Sequence, residues 1–242
     1  MIKKNKIWHI VYVTIIVLMT VAIVILSINL YKKEKPESAH IQYYNSKCES
    51  FRVQNFNLSK GQIVFIGDSI TDLYPLDDYY ADLDLATYNR GIGGDTTSGV
   101  LNRLKVSLFD IKPSKIVLLI GANDVNGCVE KSKILSNYQE IFTKIKTELP
   151  NTKVYCMSMI PQNLTLETYT TIDVEKTTQT ILELNPQIEA MVSNEPNFTY
   201  LDLFSLLADS NNMLIETYSD DGIHLNAAGF EVWTSLIKPY LI

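Results

Sequence analysis

The chain has 242 residues, 46% of them hydrophobic and 20% charged, which is the composition of an ordinary globular protein and excludes a disordered or fibrous one. Its formal net charge is −6, yet residues 1–40 hold six of the 21 basic side chains and two of the 27 acidic ones, so the remainder is strongly acidic. Such a domain, without a Lys/Arg cluster to displace counterions from a phosphate backbone, argues against nucleic acid as a partner.

In chain order, residues 1–6 are a short tail. Ile7 to Leu30 is a run of 24 residues without Asp, Glu, Lys or Arg, and roughly 20 apolar residues suffice to cross a bilayer. The run is too long for a signal-peptide core and no small-x-small cleavage site follows it. We therefore expect one transmembrane helix over 7–30, an uncleaved signal anchor. Lys3, Lys4 and Lys6 are balanced by Lys32, Lys33 and Lys35, so the positive-inside rule leaves the orientation open. The α-amino charge favours an extracytoplasmic domain, with a cytoplasm-facing one as the alternative. Residues 31–40 read as a polar tether containing Pro36. Ile41, Tyr44, Cys48 and Phe51 then recur at helical spacing, predicting an amphipathic helix that docks on a domain running from 41 to 242.

Within that domain, Gln62–Ile66, Ala86–Tyr88, Lys115–Ile120, Lys153–Met159 and Asn197–Leu201 are short runs rich in β-forming residues. Between and after them, Glu130–Leu149, Val174–Val192 and Ala227–Leu241 carry helical periodicity. The alternation predicts an α/β fold, a doubly wound parallel five-stranded sheet with helices on both faces. Ligands of such sheets bind beyond the carboxyl ends of the strands.

Polar motifs stand at those ends. Gly67-Asp68-Ser69-Ile70-Thr71 follows the first strand, Asn89-Arg90-Gly91-Ile92-Gly93-Gly94-Asp95 the second and Gly121-Ala122-Asn123-Asp124 the third, while Asp221-Gly222-Ile223-His224 precedes the last helix. Each alone is an ordinary turn sequence; their joint order is specific. A serine hydroxyl needs a base within hydrogen-bond reach, and that base needs a carboxylate to fix its tautomer. His9 and His40 lie outside the domain, leaving His224 as its single imidazole. Cys48, Cys128 and Cys156 form no C-x-x-C pair, so no zinc site or disulfide framework is encoded, although a single disulfide stays open. No metal or cofactor is expected.

These blocks resemble the SGNH hydrolases, also called GDSL esterases and lipases, from about Gln62 to the C-terminus. GDSI is similar to block I, the glycine of GIGGD to block II, GAND to block III and DGIH to block V, with Ile70 in place of the usual Leu. The wording NRGIGGDTT is especially similar to catalytic subunits of platelet-activating-factor acetylhydrolases. The resemblance implies a flavodoxin-like sheet and a serine ester hydrolase working through an acyl-enzyme. It implies Ser69 as nucleophile, His224 as base, and Asp221, rather than Asp220, as the residue orienting it. By the same resemblance the oxyanion hole comprises the backbone N–H groups of Ser69 and Gly94 and the amide of Asn123. Asp68, Asp95 and Asp124 are expected to support these loops through hydrogen bonds to backbone.

The segments between the blocks are short and offer no lid for a long acyl chain. That favours short acyl groups, acetyl first, on a bulky alcohol such as an acetylated surface glycan; a lipid is the other candidate partner. Lysophospholipase, thioesterase and sugar O-acyltransferase chemistry use the same triad. A nucleotide-binding module is the non-enzymatic alternative, but Thr96 stands where the dinucleotide fingerprint needs a third glycine, and no Gly-Lys-Ser/Thr is present. Tyr43-Tyr44 and Tyr79-Tyr80 suit packing better than a sugar-binding surface.

Overall fold

Strands buried on both faces lose the polar alternation of a surface strand and read as continuous apolar runs. Five such segments form the sheet: β1 (Ile63–Gly67), β2 (Thr87–Gly91), β3 (Lys115–Leu119), β4 (Lys153–Met157) and β5 (Phe198–Leu201). All pairings are parallel, as the alternation of elements predicts, and the strand order is β2-β1-β3-β4-β5. This computed structural model describes residues 2–34, 38–165 and 173–242. It comprises two units, Met1–Gln42 and Tyr43–Ile242.

The described helices are α1 (Ile2–Glu34), α2 (Ala39–Gln54), α3 (Ser69–Asp72), α4 (Leu76–Tyr80), α5 (Thr97–Leu104), α6 (Ala122–Asn126), α7 (Lys131–Glu148), α8 (Val174–Ser193), α9 (Phe204–Leu207) and α10 (Ala227–Leu241). Successive strand residues point to opposite faces. On one face Val64, Ile66, Ile116, Leu118 and Val154 pack with Val100 and Leu104 of α5, Ile141 of α7 and Ile188 of α8. On the other, Ile63, Phe65, Val117, Leu119 and Tyr155 pack with Tyr80 of α4, Leu207 of α9 and Phe230, Trp233 and Ile237 of α10. Fully burying one such aliphatic or aromatic side chain is worth about 1.5–3 kcal/mol, so the two layers hold the strand ends as a rigid platform.

Side chains stop the helices fraying where they meet the loops. Thr96 accepts a hydrogen bond from Gly99 N (3.2 Å) at the start of α5, and Asn226 accepts one from Gly229 N (3.2 Å) at the start of α10. The chain runs outward from β1 to β2 and then returns to place β3 on the other side of β1. That reversal opens a crevice at the carboxyl ends of β1 and β3.

The first unit corrects one expectation. Among the described residues no helix is long and apolar enough to cross a membrane. This overturns the transmembrane signal anchor at 7–30 and the single-pass, membrane-anchored localisation, on which the extracytoplasmic placement and the membrane partnership rested. The α1 helix also runs through the expected tail and into the expected tether, as far as Glu34. Residues 35–37 of the tether lie outside the described residues.

Phe65, fully buried at the centre of the second layer, meets Tyr74, Tyr80 and Trp233 at ring-centroid distances of 5.7, 5.2 and 6.3 Å. Phe65→Ala is expected to lower unfolding free energy by about 3–5 kcal/mol, measured by urea denaturation; a loss below about 1 kcal/mol would contradict this packing.

Candidate active site

Gly67 ends β1 where there is no room for a side chain: a Cβ would lie 2.2 Å from Leu119 O and 2.3 Å from Thr71 Oγ1. The chain then turns into α3, with Asp68 as its cap, Oδ1 accepting from Ile70 N at 3.0 Å. Ser69 is thereby the first residue of α3, directly above the sheet. Gly91 allows β2 to end against α3, since a Cβ there would sit 2.1 Å from Asp72 N. Asn89 ties the far end of α3 down, its Nδ2 donating to Thr71 O (2.6 Å) and Tyr74 O (3.1 Å).

The loop before α10 brings the imidazole over Ser69. His224 Nε2 lies 2.9 Å from Ser69 Oγ, and His224 Nδ1 lies 2.6 Å from Asp221 Oδ2. The other Asp221 oxygen accepts from the backbone N–H groups of Ile223 and His224, each at 2.8 Å. One carboxylate therefore fixes both the turn and the ring. Gly222 makes the turn possible, with φ +82° and a would-be Cβ 1.9 Å from Asn163 O. Burial opposes the charge on Asp221, but the bonds from the His224 ring and the two N–H groups outweigh it and hold the carboxyl down to about 2. Asp220 instead accepts from the α10 cap Asn226 at 3.2 Å.

Gly94 has φ +74°, the left-handed region that favours glycine. Asn123, in the first turn of α6, donates its Nδ2 to Asp95 O at 2.9 Å, which holds its amide against the Gly94 loop. Asp68, Asp95 and Asp124 are buried. Asp95 Oδ1 accepts from Thr96 N at 2.9 Å, and Oδ2 from Arg103 Nε at 2.7 Å. Asp124 accepts from Thr97 N (2.8 Å) and Thr97 Oγ1 (2.6 Å). Burial pushes the Asp124 carboxyl up and raises that of Asp68 to about 7, against the N–H bond from Ile70 that favours its charge.

Sequence reasoning missed two residues in this cluster. Arg103 is fully buried and donates to Asp95, Arg90 O (2.7 Å), Ser107 Oγ (2.9 Å) and Gly67 O (2.9 Å). Its signal was a charge at a core position of α5, between Val100 and Leu104. Asp72 accepts from Gly93 N (3.0 Å), Tyr43 OH (2.6 Å) and Lys47 Nζ (2.6 Å). Nothing in the sequence marks it.

A model of the GDSL-like Lipase/Acylhydrolase family matches residues 65–232. The chain belongs to this family. Platelet-activating factor acetylhydrolase IB subunit alpha2 of Gallus gallus is 28% identical over 176 residues, covering 69% of this chain and 70% of the relative. The Homo sapiens alpha2 subunit is 34% identical over 103 residues, 41% of this chain and 44% of its own length. A structure from Streptococcus pneumonia named for platelet activating factor superposes with a TM-score of 0.76 at 26% identity, covering 90% of this chain and 99% of its own. A GDSL-like lipase from Bacteroides thetaiotaomicron shares the fold, with a TM-score of 0.70 at 22% identity over 80% of this chain and 96% of its own. The resemblance to SGNH/GDSL hydrolases is thus established, and the protein is a hydrolase acting on ester bonds.

In this hydrolase the folded state keeps the Asp68 proton up to about 7, whereas an unfolded aspartate loses it near about 3.9. The folded state binds more protons within that window, so stability falls as pH rises through it. Urea titrations from about pH 4 to pH 8 are expected to show this decline in the wild type and its loss in Asp68→Asn; parallel profiles would contradict the assignment.

Proposed function

We propose that this hydrolase cleaves short-chain esters, acetyl esters first, by a Ser69–His224–Asp221 relay within residues 41–242. The observation that carries the reading is the continuous hydrogen-bonded line from Asp221 Oδ2 through the imidazole to Ser69 Oγ, at 2.6 and 2.9 Å. Ser69 Oγ attacks the ester carbonyl carbon while its proton passes to His224 Nε2. Negative charge developing on the carbonyl oxygen is met by the N–H groups of Ser69 and Gly94 and by Asn123 Nδ2. The C–O bond to the alcohol breaks, His224 returns the proton to the departing oxygen, and the acyl group remains on Ser69. Water activated by the same imidazole then attacks the acyl-enzyme, releasing the acid and restoring Ser69. Asp221, held ionised far below neutrality, keeps Nδ1 protonated and stabilises the imidazolium. Asp68, Asp95 and Asp124 act as positioning groups for the nucleophile turn and the oxyanion loops.

The short acyl preference is supported by the acetylhydrolase names of the relatives and by the shortness of the segments between the blocks. A bulky alcohol, such as that of an acetylated glycan, suits an open site. Ser69→Ala and His224→Ala are each expected to lower kcat on the order of 10⁴-fold or more while thermal unfolding stays cooperative. Wild-type turnover by Ser69→Ala would overturn the mechanism. A series of methyl esters from acetate to octanoate is expected to give falling kcat/KM; a rise with chain length would replace the short-acyl reading with a lipid one.

A further inference from the structure

The loop from Ile92 to Asp95 has no side chain of its own to hold its middle. Asp95 N donates to Ile92 O at 3.1 Å, which closes a four-residue turn with Gly93 and Gly94 as its central pair, and Gly94 has the positive φ, +74°, that the third position of a type II turn requires. Two consecutive glycines let the chain take this shape but leave it loose, since neither brings a Cβ to pack. The direction of the Gly94 N–H therefore depends on what grips the turn from outside.

Its far end is gripped through Asp95, whose carboxylate is bonded to Arg103 and whose carbonyl takes the Asn123 amide. Its near end meets Asp72. Asp72 Oδ2 accepts from Gly93 N at 3.0 Å, so the peptide between Ile92 and Gly93 is bonded on both sides, at its carbonyl by Asp95 N and at its N–H by Asp72. Asp72 is itself fixed. It is the last residue of α3, three after Ser69, with its own N–H bonded to Asp68 O at 2.9 Å, and Gly91 at the end of β2 abuts its backbone. Its side chain, 14% exposed, is held from α2, because Tyr43 OH donates to the same Oδ2 at 2.6 Å and Lys47 Nζ to Oδ1 at 2.6 Å. The bond to Asp72 is what chiefly pushes the Tyr43 hydroxyl up to about 12, which keeps it a donor at neutral pH. Tyr43 and Lys47 lie before the residues that the family model matches.

We propose that Asp72 is a positioning residue for the oxyanion hole: by holding Gly93 N it fixes, relative to Ser69, the turn that presents the Gly94 N–H, while Tyr43 and Lys47 of α2 hold Asp72. This rests on the reading of Ser69 as nucleophile and of the Gly94 N–H as an oxyanion donor. One short helix then carries both the attacking hydroxyl and the carboxylate that grips the opposing loop, and so sets the spacing between them. Donors to an oxyanion act by being in place before the charge develops, so a loop that has shifted loses their benefit in the transition state and little in substrate binding.

The test uses the full chain with p-nitrophenyl acetate as substrate. Asp72→Ala is expected to lower kcat roughly 10- to 100-fold while KM changes by less than about 3-fold, the pattern of a group that acts only in the transition state. The pH midpoint of kcat/KM is expected to stay at its wild-type position, because the imidazole and Asp221 are untouched. Asp72→Asn keeps an oxygen for Gly93 N and Tyr43 OH but cannot form the ion pair with Lys47, and is expected to restore kcat to within about 3-fold of wild type. Lys47→Ala is expected to do no more harm than that. Asp72→Ser, polar but too short to span to Gly93 N, is expected to match Asp72→Ala and replaces it if the alanine variant does not fold. A wild-type kcat in Asp72→Ala, a loss confined to KM, a shifted pH midpoint, or an Asp72→Asn variant as slow as the alanine would each overturn the assignment. Ser69→Ala separates the two levels: if it is inactive while Asp72→Ala turns over normally, only the role of Asp72 falls. If Ser69→Ala stays active, the nucleophile and the positioning role fall together.

Discussion

A single buried guanidinium holds the loops of this site in register. Arg103 reaches from α5 to the last residue of β1, to the penultimate residue of β2 and to the Asp95 carboxylate in the loop that follows. Its acceptors are the Arg90 carbonyl and the Gly67 carbonyl, which also takes Ile92 N at 3.1 Å where the strands diverge. A planar fork of donors suits such a junction better than an ammonium, which offers one point of charge and no fixed geometry. Burying the ion is costly, and the cost is met because Asp95 pairs with it and three further acceptors surround it. The ends of β1 and β2 cannot shift independently while that fork is in place.

From this junction the constraint passes outward through backbone. Gly67 precedes Asp68 and Ser69, so the Arg103 bond to Gly67 O fixes where α3 begins. Arg90 O is bound one residue before Gly91, whose lack of a Cβ lets β2 close against α3. Asp95 O accepts the Asn123 amide, which links the β3 loop to the same cluster. Arg90 itself is buried, its Nη atoms donating to Gln54 (2.6 Å) and Asn55 (2.8 Å) with the Phe51 ring 4.5 Å away. Burial, reinforced by neighbouring Arg103, lowers its pKa to about 10. These contacts join the end of α2 to β2 and so set the height at which Tyr43 stands over Gly93.

The parts of this arrangement that could be read in the sequence share one property: their signal is local. A strand buried on both faces is a run of Ile, Val, Leu and Phe, and the polar blocks stand out because they interrupt the pattern at its ends. The joint order of GDSI, GIGGD, GAND and DGIH marked the family, and the five strands fell where those runs predicted. Helices α3, α4, α6 and α9, of four or five residues each, were not legible because so short a segment shows no period. Asp72 and Arg103 were missed for a different reason. Gly93 and Gly67, which they bond, lie 21 and 36 residues away in the chain, and no short window of sequence contains both ends. Residues 7–30 failed in the opposite direction, since apolarity alone was taken as a span.

The distribution of charge around Ser69 follows from which carboxylates found cations or N–H groups. Asp68 and Asp124 are desolvated and both are pushed upward, each also by the nearby Asp95 charge, and Asp68 by Asp124 as well. Asp95 has the Arg103 guanidinium beside it at 2.7 Å, so it can stay ionised without leaving net charge under the nucleophile turn. Asp221 is more open to solvent and is held ionised by hydrogen bonds from the His224 ring and from the N–H groups of His224 and Ile223. Negative charge is thereby concentrated on the side of the imidazole away from Ser69. In the proposed mechanism an imidazolium formed there would be stabilised by Asp221, while the oxyanion on the other side would meet N–H donors. With Asp72, bonded to Tyr43 and Lys47, five aspartates crowd one small site, and burial together with partner choice makes their charge states different.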